Sequence, residues 1–215
     1  MNYPIYIISG IGADETAFQL LDFGEITPHF IDWIPPFSNE SLASYARRLA
    51  IDKIPSSEKP ILIGLSFGGM IALEIAKIRE VEKVIQISSI QTKQEIPTFQ
   101  KVIGKLGLSK ILPLAPVASH NPFTNYMFGA TSKKSKEILY QILRATDKTF
   151  LRWAFGAISK WKNETIKENV ITIHGTQDKI FPYRSQKYTY TIQGGGHMMV
   201  LTHAEEISEI LKRIL

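Results

Sequence analysis

Cysteine is absent from this chain of 215 residues, so the chain can form neither a disulfide framework nor a thiolate metal site. This absence is typical of proteins from a reducing compartment, and a cytoplasmic location is expected. Long hydrophobic runs are absent too, because no stretch approaches the roughly 20 apolar residues of a membrane span. The first residues, MNYPIYIISG, have no basic region before a short apolar run, so a signal peptide is not expected.

Acidic residues are scarce in one part of the chain. Residues 91–168 carry 13 Lys or Arg and 5 Asp or Glu, whereas the whole chain has a net charge of +5. The excess either belongs to solvated lysines on a surface or attracts an anionic ligand. No basic run with interleaved aromatics is present, so a nucleic-acid partner is not expected. No cluster of His, Asp or Glu suggests a metal site, and no cofactor is implied.

The residues that are present have the composition of a folded domain, 44% hydrophobic and 21% charged. Six short apolar runs each end in a turn, as strands do: residues 6–10, 29–35, 60–66, 83–89, 169–175 and 188–194. Several of them are apolar at consecutive positions, which is typical of strands covered on both faces.

Helical periodicity appears between and after these runs. It is found near residues 38–51, at residues 67–78 and at the C-terminus, where apolar positions recur at Ile207, Ile210, Leu211 and Ile214. Strands that alternate with helices predict an α/β fold, with a mainly parallel sheet of about six strands and helices on both faces.

The alternation fails between residues 90 and 168, where helix-like pieces surround the connector ILPLAPVASHNPF. A structureless loop of this length would be unusual in a compact domain. The sequence therefore predicts a helical insertion at residues 90–168 and a core formed by residues 1–89 and 169–215.

The segment GLSFGG joins a predicted strand directly to a predicted helix. Such a turn forces its central residue, Ser66, into a strained backbone conformation, and small residues at Gly64 and Gly68 prevent clashes. The helix N-terminus behind Ser66 offers backbone N–H groups and a positive dipole end to a developing anion. The alternative is a packing turn in which the serine is incidental.

A serine needs a base to become nucleophilic at neutral pH, and the base needs a third group to orient it. Asp178 follows the run at residues 169–175, and His197 follows the run at residues 188–194 on a loop of three glycines. Each has an ordinary explanation when taken alone, as a turn former or a loop histidine. Because the carboxyl ends of parallel strands share one sheet edge, we expect Ser66, Asp178 and His197 to meet there as catalytic residues.

Two further residues are weaker candidates for the same roles. His174 precedes a glycine at the end of a predicted buried strand, where a structural histidine is more common than a second base. Asp147 lies beside the aromatic stretch FLRWAFGAISKW and is the second choice of acid if Asp178 points away.

An oxyanion intermediate needs two hydrogen-bond donors, and the predicted donors are the backbone N–H groups of Phe67 and Ile11. Ile11 lies in SGIGAD, where Gly10 and Gly12 allow a close approach of the backbone. The competing interpretation is a dinucleotide-binding fingerprint, but that pattern needs a glycine at the position of Glu15.

With GLSFGG as elbow, HGTQDKIFP as acid loop and GGGHMMV as histidine loop, the chain resembles the α/β-hydrolase superfamily over nearly its whole length, and within it the small lid-bearing members. The order Ser, Asp, His is that of this superfamily. The resemblance implies that residues 90–168 form a helical lid. Two features depart from the usual pattern: Ser9 replaces a histidine that often precedes the glycine, and the antiparallel strands that open larger members are not expected.

Several side chains are candidates for a substrate pocket. Gly10 and Met198 are neighbours of the predicted donors and base, and Trp153 and Phe128 come from the aromatic-rich insertion. The larger set to which those two belong either lines an acyl pocket or forms a small core within the insertion: Phe123, Tyr126, Met127, Phe128, Trp153, Phe155 and Trp161.

The sequence therefore predicts a serine hydrolase that cleaves an ester, thioester or similar carbonyl substrate through an acyl-enzyme on Ser66. The basic insertion adds the hypothesis that this small-molecule substrate is anionic. Two alternatives stay open: a non-hydrolytic small-molecule receptor or regulatory protein on the same scaffold, and a lyase or acyltransferase that uses the same residues. Substrate identity and oligomeric state are not predicted.

Overall fold

The computed structural model describes residues 3–105, 121–184 and 188–215, with a six-stranded sheet at the centre. The strands are β1 Ile5–Ile8, β2 His29–Ile31, β3 Ile61–Leu65, β4 Lys83–Ile87, β5 Val170–Gly175 and β6 Tyr190–Ile192. Their order is β2-β1-β3-β4-β5-β6, and each neighbouring pair is parallel. The six predicted strands are confirmed. Each is shorter than its apolar run, because residues at the ends of the runs lie outside the ladder.

The helices follow the predicted alternation. They are α1 Leu42–Lys53, α2 Phe67–Ile78, α3 Thr98–Lys105, α4 Pro122–Phe128, α5 Lys133–Ala145, α6 Lys148–Ser159, α7 Met199–Thr202 and α8 Ala204–Ile214. Helix α1 begins after Ser41, whose hydroxyl oxygen accepts the N–H of Ser44. In the described ranges, no helix is long and apolar enough to cross a membrane.

Helices cover both faces of the sheet, as predicted. In β1, Tyr6 and Ile8 pack in a hydrophobic cluster with residues of α1, α2 and α6. Ile5 and Ile7 point to the other face and pack with residues of α5, α7 and α8. Side chains alternate across a strand, so burial on both faces requires the continuous apolar runs that the sequence shows.

The segment between β4 and β5 contains α3, α4, α5 and α6, and its described part contains no strand. The described residues of the predicted insertion at 90–168 are therefore largely helical, and residues 106–120 lie outside the described ranges. Helix α6 also joins the cluster beneath α1 and α2, through Phe150, Ala154 and Ile158. The insertion therefore packs directly against the core of the domain.

The strand order creates a crevice at one edge of the sheet. Strand β1 pairs with β2 on one side and with β3 on the other, so the loops that leave β1 and β3 diverge. In open parallel sheets, ligands bind at such a point, outside the carboxyl ends of the strands. Ile8 of β1 lies in register with Gly64 of β3, which places Ser66 beside the loop after β1.

Candidate active site

Ser66 occupies a strained turn between β3 and α2. Its φ of 54° and ψ of −116° lie in a region that non-glycine residues rarely adopt. The Ser66 N–H donates to the carbonyl of Ile87 at 2.8 Å, and the hydroxyl of Ser89 donates to the carbonyl of Ser66 at 2.6 Å. The end of β4 thus holds the strained residue from both sides.

The glycines around Ser66 allow helix α2 to lie directly on the sheet. A Cβ at Gly68 would overlap the carbonyl oxygens of Ile8 and Ser9, and a Cβ at Gly64 would overlap the backbone of Gly69. Because these neighbours are backbone atoms in strands and a helix, they cannot move aside cheaply. The elbow therefore needs glycine at both positions, for packing reasons that are independent of any chemistry.

Ser66, His197 and Asp178 form one continuous chain of hydrogen bonds. His197 Nδ1 lies 2.8 Å from Asp178 Oδ2, and His197 Nε2 lies 2.8 Å from Ser66 Oγ. A carboxylate beside Nδ1 favours the tautomer in which Nδ1 carries the proton. Nε2 is then free to accept the hydroxyl proton of Ser66, as the base of a nucleophilic serine must.

The two oxygens of Asp178 have separate tasks. Oδ1 accepts the backbone N–H groups of Ile180 and Phe181 at 2.8 and 2.9 Å, which closes the turn after β5. Oδ2 faces His197. The turn that Asp178 closes therefore also directs its second oxygen at the imidazole, so a turn former at this position is compatible with the predicted role beside His197.

The loop that carries His197 is held by close backbone contacts. A Cβ at Gly175 would overlap the carbonyl oxygen of Gly195, and a Cβ at Gly196 would lie 2.8 Å from the Cα of Gly129. The N–H of Met198 donates to the carbonyl of Phe128 at 2.9 Å. The loop is thus packed between the end of β5 and the end of α4.

His174 lies beside the same carboxylate but makes a different contact. Its Nε2 is 2.8 Å from the carbonyl oxygen of Phe181, to which it donates, and 3.6 Å from Asp178 Oδ2. Its ring stacks on Tyr188 with centroids 4.3 Å apart. Burial lowers the pKa of His174, although the Asp178 carboxylate acts in the opposite direction. These contacts support the structural interpretation of His174.

The second-choice acid, Asp147, lies away from this chain of hydrogen bonds. Its carboxylate accepts the N–H of Phe150 at 2.6 Å and caps the N-terminus of α6.

Two backbone donors lie near Ser66. Ile11 follows Gly10, at which a Cβ would lie 3.6 Å from the Cβ of Ser66, and Phe67 is the first residue of α2. In the described part of the chain, neither the N–H of Ile11 nor that of Phe67 has an acceptor. Both groups are therefore available to an added oxygen atom.

A cavity of about 440 Å³ opens beside Ser66 and His197. Gly10, Phe128 and Met198, three of the four predicted pocket residues, line it. Most of the other described lining is apolar and comes from the insertion between β4 and β5: Phe99, Phe123, Met127, Leu139, Ile142, Leu143, Leu151, Phe155 and Ile158.

Solved structures resemble the whole chain. A lipase-esterase related protein from Clostridium acetobutylicum has a TM-score of 0.71 at 15% identity, covering 99% of this chain and 94% of that one. A thermophilic esterase from Thermogutta terrifontis gives 0.69 at 15% identity, covering 100% and 89%. MenH from S. aureus gives 0.69 at 14% identity, covering 98% and 92%. No protein-family model and no curated protein matches the sequence.

The chain has the α/β-hydrolase fold. Identities of this size establish the architecture and leave the activity to be argued from the site.

Within this α/β-hydrolase fold, Trp153 does not line the cavity, and its prediction as a pocket residue is corrected. Its ring packs on Tyr45 at 4.4 Å, and its indole N–H donates to the carbonyl of Glu40 at 2.9 Å. The pocket side of α6 is formed instead by Leu151, Phe155 and Ile158. The ring of Phe67 is outside the cavity lining too, and it is fully buried against Trp33 and Phe150.

Charged side chains are missing from the described lining of the cavity. Basic residues of the insertion, including Arg152, Lys160 and Lys162, line a separate surface groove of about 1130 Å³ on the other side of α6. The groove also holds Glu40, Glu74 and Glu164, so its charge is mixed.

One polar cavity residue was missed from sequence. Gln100 lies on α3, is 5% exposed and lines the cavity. Gln100 is one glutamine among lysines and other polar residues of its helix, and a single polar residue gives no periodic signal in the sequence. Only its position in the fold reveals it.

Proposed function

We propose that the protein is a serine hydrolase that cleaves an ester, thioester or similar carbonyl substrate through an acyl-enzyme on Ser66. The observation that carries this proposal is the unbroken chain of hydrogen bonds from Ser66 through His197 to Asp178, 2.8 Å at each link. A structural turn with an incidental serine requires neither this chain nor a cavity beside it.

In the first half of the reaction, Ser66 Oγ forms a bond to the substrate carbonyl carbon while its proton passes to His197 Nε2. Asp178 keeps the imidazole in its tautomer and stabilises the imidazolium. The carbon–oxygen or carbon–sulfur bond to the leaving group then breaks, and the leaving group takes the proton from His197. In the second half, His197 deprotonates a water molecule as its oxygen forms a bond to the acyl carbon. The bond between that carbon and Ser66 Oγ then breaks, Oγ takes the proton back from His197, and the acid product leaves.

The N–H groups of Ile11 and Phe67 would receive the oxyanion in both halves. Support comes from their lack of acceptors within the described residues and from the position of Phe67 at the N-terminus of α2. Donors already fixed by the backbone stabilise a developing charge without reorganising during the reaction.

Residues 90–168 would act as a lid over a core of residues 1–89 and 169–215. Helices α4, α5 and α6 supply much of the described cavity wall, so movement of this segment would change the size and access of the cavity. The cavity volume of about 440 Å³ falls in the range of small-molecule sites, and its apolar wall suits an acyl chain.

The described lining of the cavity holds no cationic side chain, and it therefore gives no support to the hypothesis of an anionic substrate. A carboxylate or phosphate placed there would lose its hydration without gaining a partner, which is unfavourable. We therefore propose that the part of the substrate inside the cavity is neutral, and that the basic residues of the insertion serve its outer surface.

The decisive experiment is the intact mass after treatment with a fluorophosphonate. The wild type should gain one adduct, Ser66→Ala should gain none, and Ser57→Ala, at an exposed loop serine, should behave as the wild type does. No adduct on the wild type would contradict an activated serine and would favour the receptor alternative.

Product analysis separates the remaining alternatives. Hydrolysis of a labelled ester in H₂¹⁸O should place one heavy oxygen in the released acid, as deacylation by water requires. Transfer of the acyl group to an added alcohol or thiol, or elimination without any heavy oxygen, would identify an acyltransferase or a lyase instead.

A further inference from the structure

An unpartnered polar atom lies in the wall of the apolar cavity. In the described part of the chain, five buried side-chain oxygens have no hydrogen-bond partner: Gln86 Oε1, Ser88 Oγ, Gln91 Oε1, Gln100 Oε1 and Asn125 Oδ1. Of these five residues, Gln100 alone lines the cavity that contains Ser66 and His197. A buried acceptor without a partner is unfavourable unless a ligand or water satisfies it.

The other polar side chains of the described cavity wall already have partners. The hydroxyl of Thr146 donates to the carbonyl of Ile142 at 2.8 Å, and the side chains of Ser66 and His197 form a hydrogen bond with each other. Thr124 also has an interaction of its own. The carbonyl oxygen of Gln100 therefore stands out as the acceptor that a bound molecule could use.

We propose that Gln100 is a specificity-determining residue, and that its side-chain carbonyl accepts a hydrogen bond from a neutral donor on the substrate, a hydroxyl or an amide N–H. This inference rests on the proposed function. It names the substrate class as esters or thioesters whose otherwise apolar cavity-bound part carries one such donor.

A neutral donor suits the site better than an ammonium group. No Asp or Glu is present in the described cavity lining to balance a positive charge. A substrate without a donor would cover the Gln100 carbonyl and leave it without a hydrogen-bond partner, which lowers affinity. Sites built around such a bond reject analogues that lack the donor.

The test compares acyl esters of matched length that carry a hydroxyl, an amide N–H, a methoxy group or a plain methylene at successive carbons. We expect kcat/KM of the wild type to favour a donor ester over its methylene and methoxy analogues by at least about tenfold at one position, a factor that corresponds to about 1.4 kcal/mol. Comparison of the hydroxyl ester with the amide ester shows which of the two donor groups the site prefers.

Gln100→Met, of similar length and without polar atoms, should reduce this ratio to within about threefold of unity. Gln91→Met is the matched control, because Gln91 also has a buried unpaired carbonyl but does not line the cavity; it should keep the wild-type ratio. Gln100→Met should also unfold at a temperature no lower than the wild type, since an unpaired polar atom is replaced by an apolar one.

A ratio near unity at every position in the wild type, or an equal loss for donor and methylene esters in Gln100→Met, would overturn this inference. Labelling of Ser66 by the fluorophosphonate tells that outcome apart from failure of the proposed function. If neither labelling nor turnover occurs, the inference is tested by the dissociation constants of the wild type for the same pairs of esters. Equal dissociation constants for the donor ester and its methylene analogue would overturn it.

Discussion

The cavity beside Ser66 and the charged groove are separated by one helix, α6, and they differ in chemistry. The cavity side of α6 presents Leu151, Phe155 and Ile158. The groove side presents Arg152, and Lys160 lines the groove directly after the end of the helix. In the described residues, the cavity wall holds no charged side chain, whereas the groove is lined by both signs of charge.

This contrast shows how one amphipathic helix can keep the charge of a basic insertion away from an apolar site. Residues two positions apart on a helix point about 200° apart, so Trp153 and Phe155 face opposite sides. The sequence has aromatic residues and lysines in the same segment. The orientation of α6 determines which of these side chains line the cavity and can contact a substrate.

The largest expected effect is the difference in ester hydrolysis between a substitution in the cavity and a substitution in the groove. His197→Ala removes the base beside Ser66 and should lower kcat for an ester by roughly 10⁶-fold. Lys160→Ala, in the groove, should change it by less than about twofold, since surface charges far from the reacting atoms contribute little. Steady-state hydrolysis of one chromogenic ester by both variants makes the comparison. A comparable loss in Lys160→Ala would move the reaction toward the groove.

The two faces of α6 can be tested by truncation. Trp153→Ala removes a ring that packs on Tyr45 and Phe67, and it should lower the free energy of unfolding by about 3 kcal/mol. Phe155→Ala should instead enlarge the cavity and shift the preferred acyl chain toward longer esters. Urea unfolding and a chain-length series on both variants provide the measurement. A shift of acyl preference in Trp153→Ala would break the assignment of faces.

A smaller effect concerns His174, the buried histidine beside Asp178. Burial lowers the pKa of His174 below its ordinary value of 6.5, so the unfolded chain binds a proton more readily than the folded one. The corresponding stability is fully present above pH 6.5 and is lost as the pH falls below that value toward the folded pKa. The slope contributed by this residue is at most about 1.4 kcal/mol per pH unit.

His174→Gln should therefore flatten the loss of stability on the acid side of pH 6.5, as measured by urea unfolding at a series of pH values. His29→Gln, at an exposed position of β2, is the control and should keep the wild-type profile. An unchanged profile in His174→Gln would show that protonation of this residue does not control the acid transition.

The smallest expected effect is that of salt. Because the described cavity lining holds no cation, kcat/KM for neutral and anionic esters of equal size should vary by less than about twofold with ionic strength. Combined replacement of Arg152, Lys160 and Lys162 by glutamine should leave that behaviour unchanged. A fall with salt confined to the anionic ester would restore the hypothesis of an anionic substrate.

Much of the architecture could be predicted from local patterns. The six apolar runs and the helix at residues 67–78 were placed correctly, because buried strands and a helix with an apolar face leave periodic signals in the sequence. The approach of Ser66, Asp178 and His197 followed from their positions after three parallel strands. Their catalytic roles stay predictions until the labelling experiment is done.

Other features had no such local signal. The sequence could not say whether Trp153 or Phe155 faces the cavity, since both lie in one aromatic stretch. It also could not reveal Gln100, because an unpaired carbonyl is defined by the atoms around it and not by its neighbours in sequence.

The sequence by itself determined the order of strands and helices, the glycines that let α2 lie on the sheet and the strand ends on which Ser66, Asp178 and His197 stand. These depend on chain order, periodicity and backbone sterics, which are local properties. Only the tertiary structure decided which side of α6 meets the cavity and where Gln100 is buried. Both depend on the angle at which the helices of the insertion pack against the sheet, and that angle is set by contacts between residues far apart in the chain.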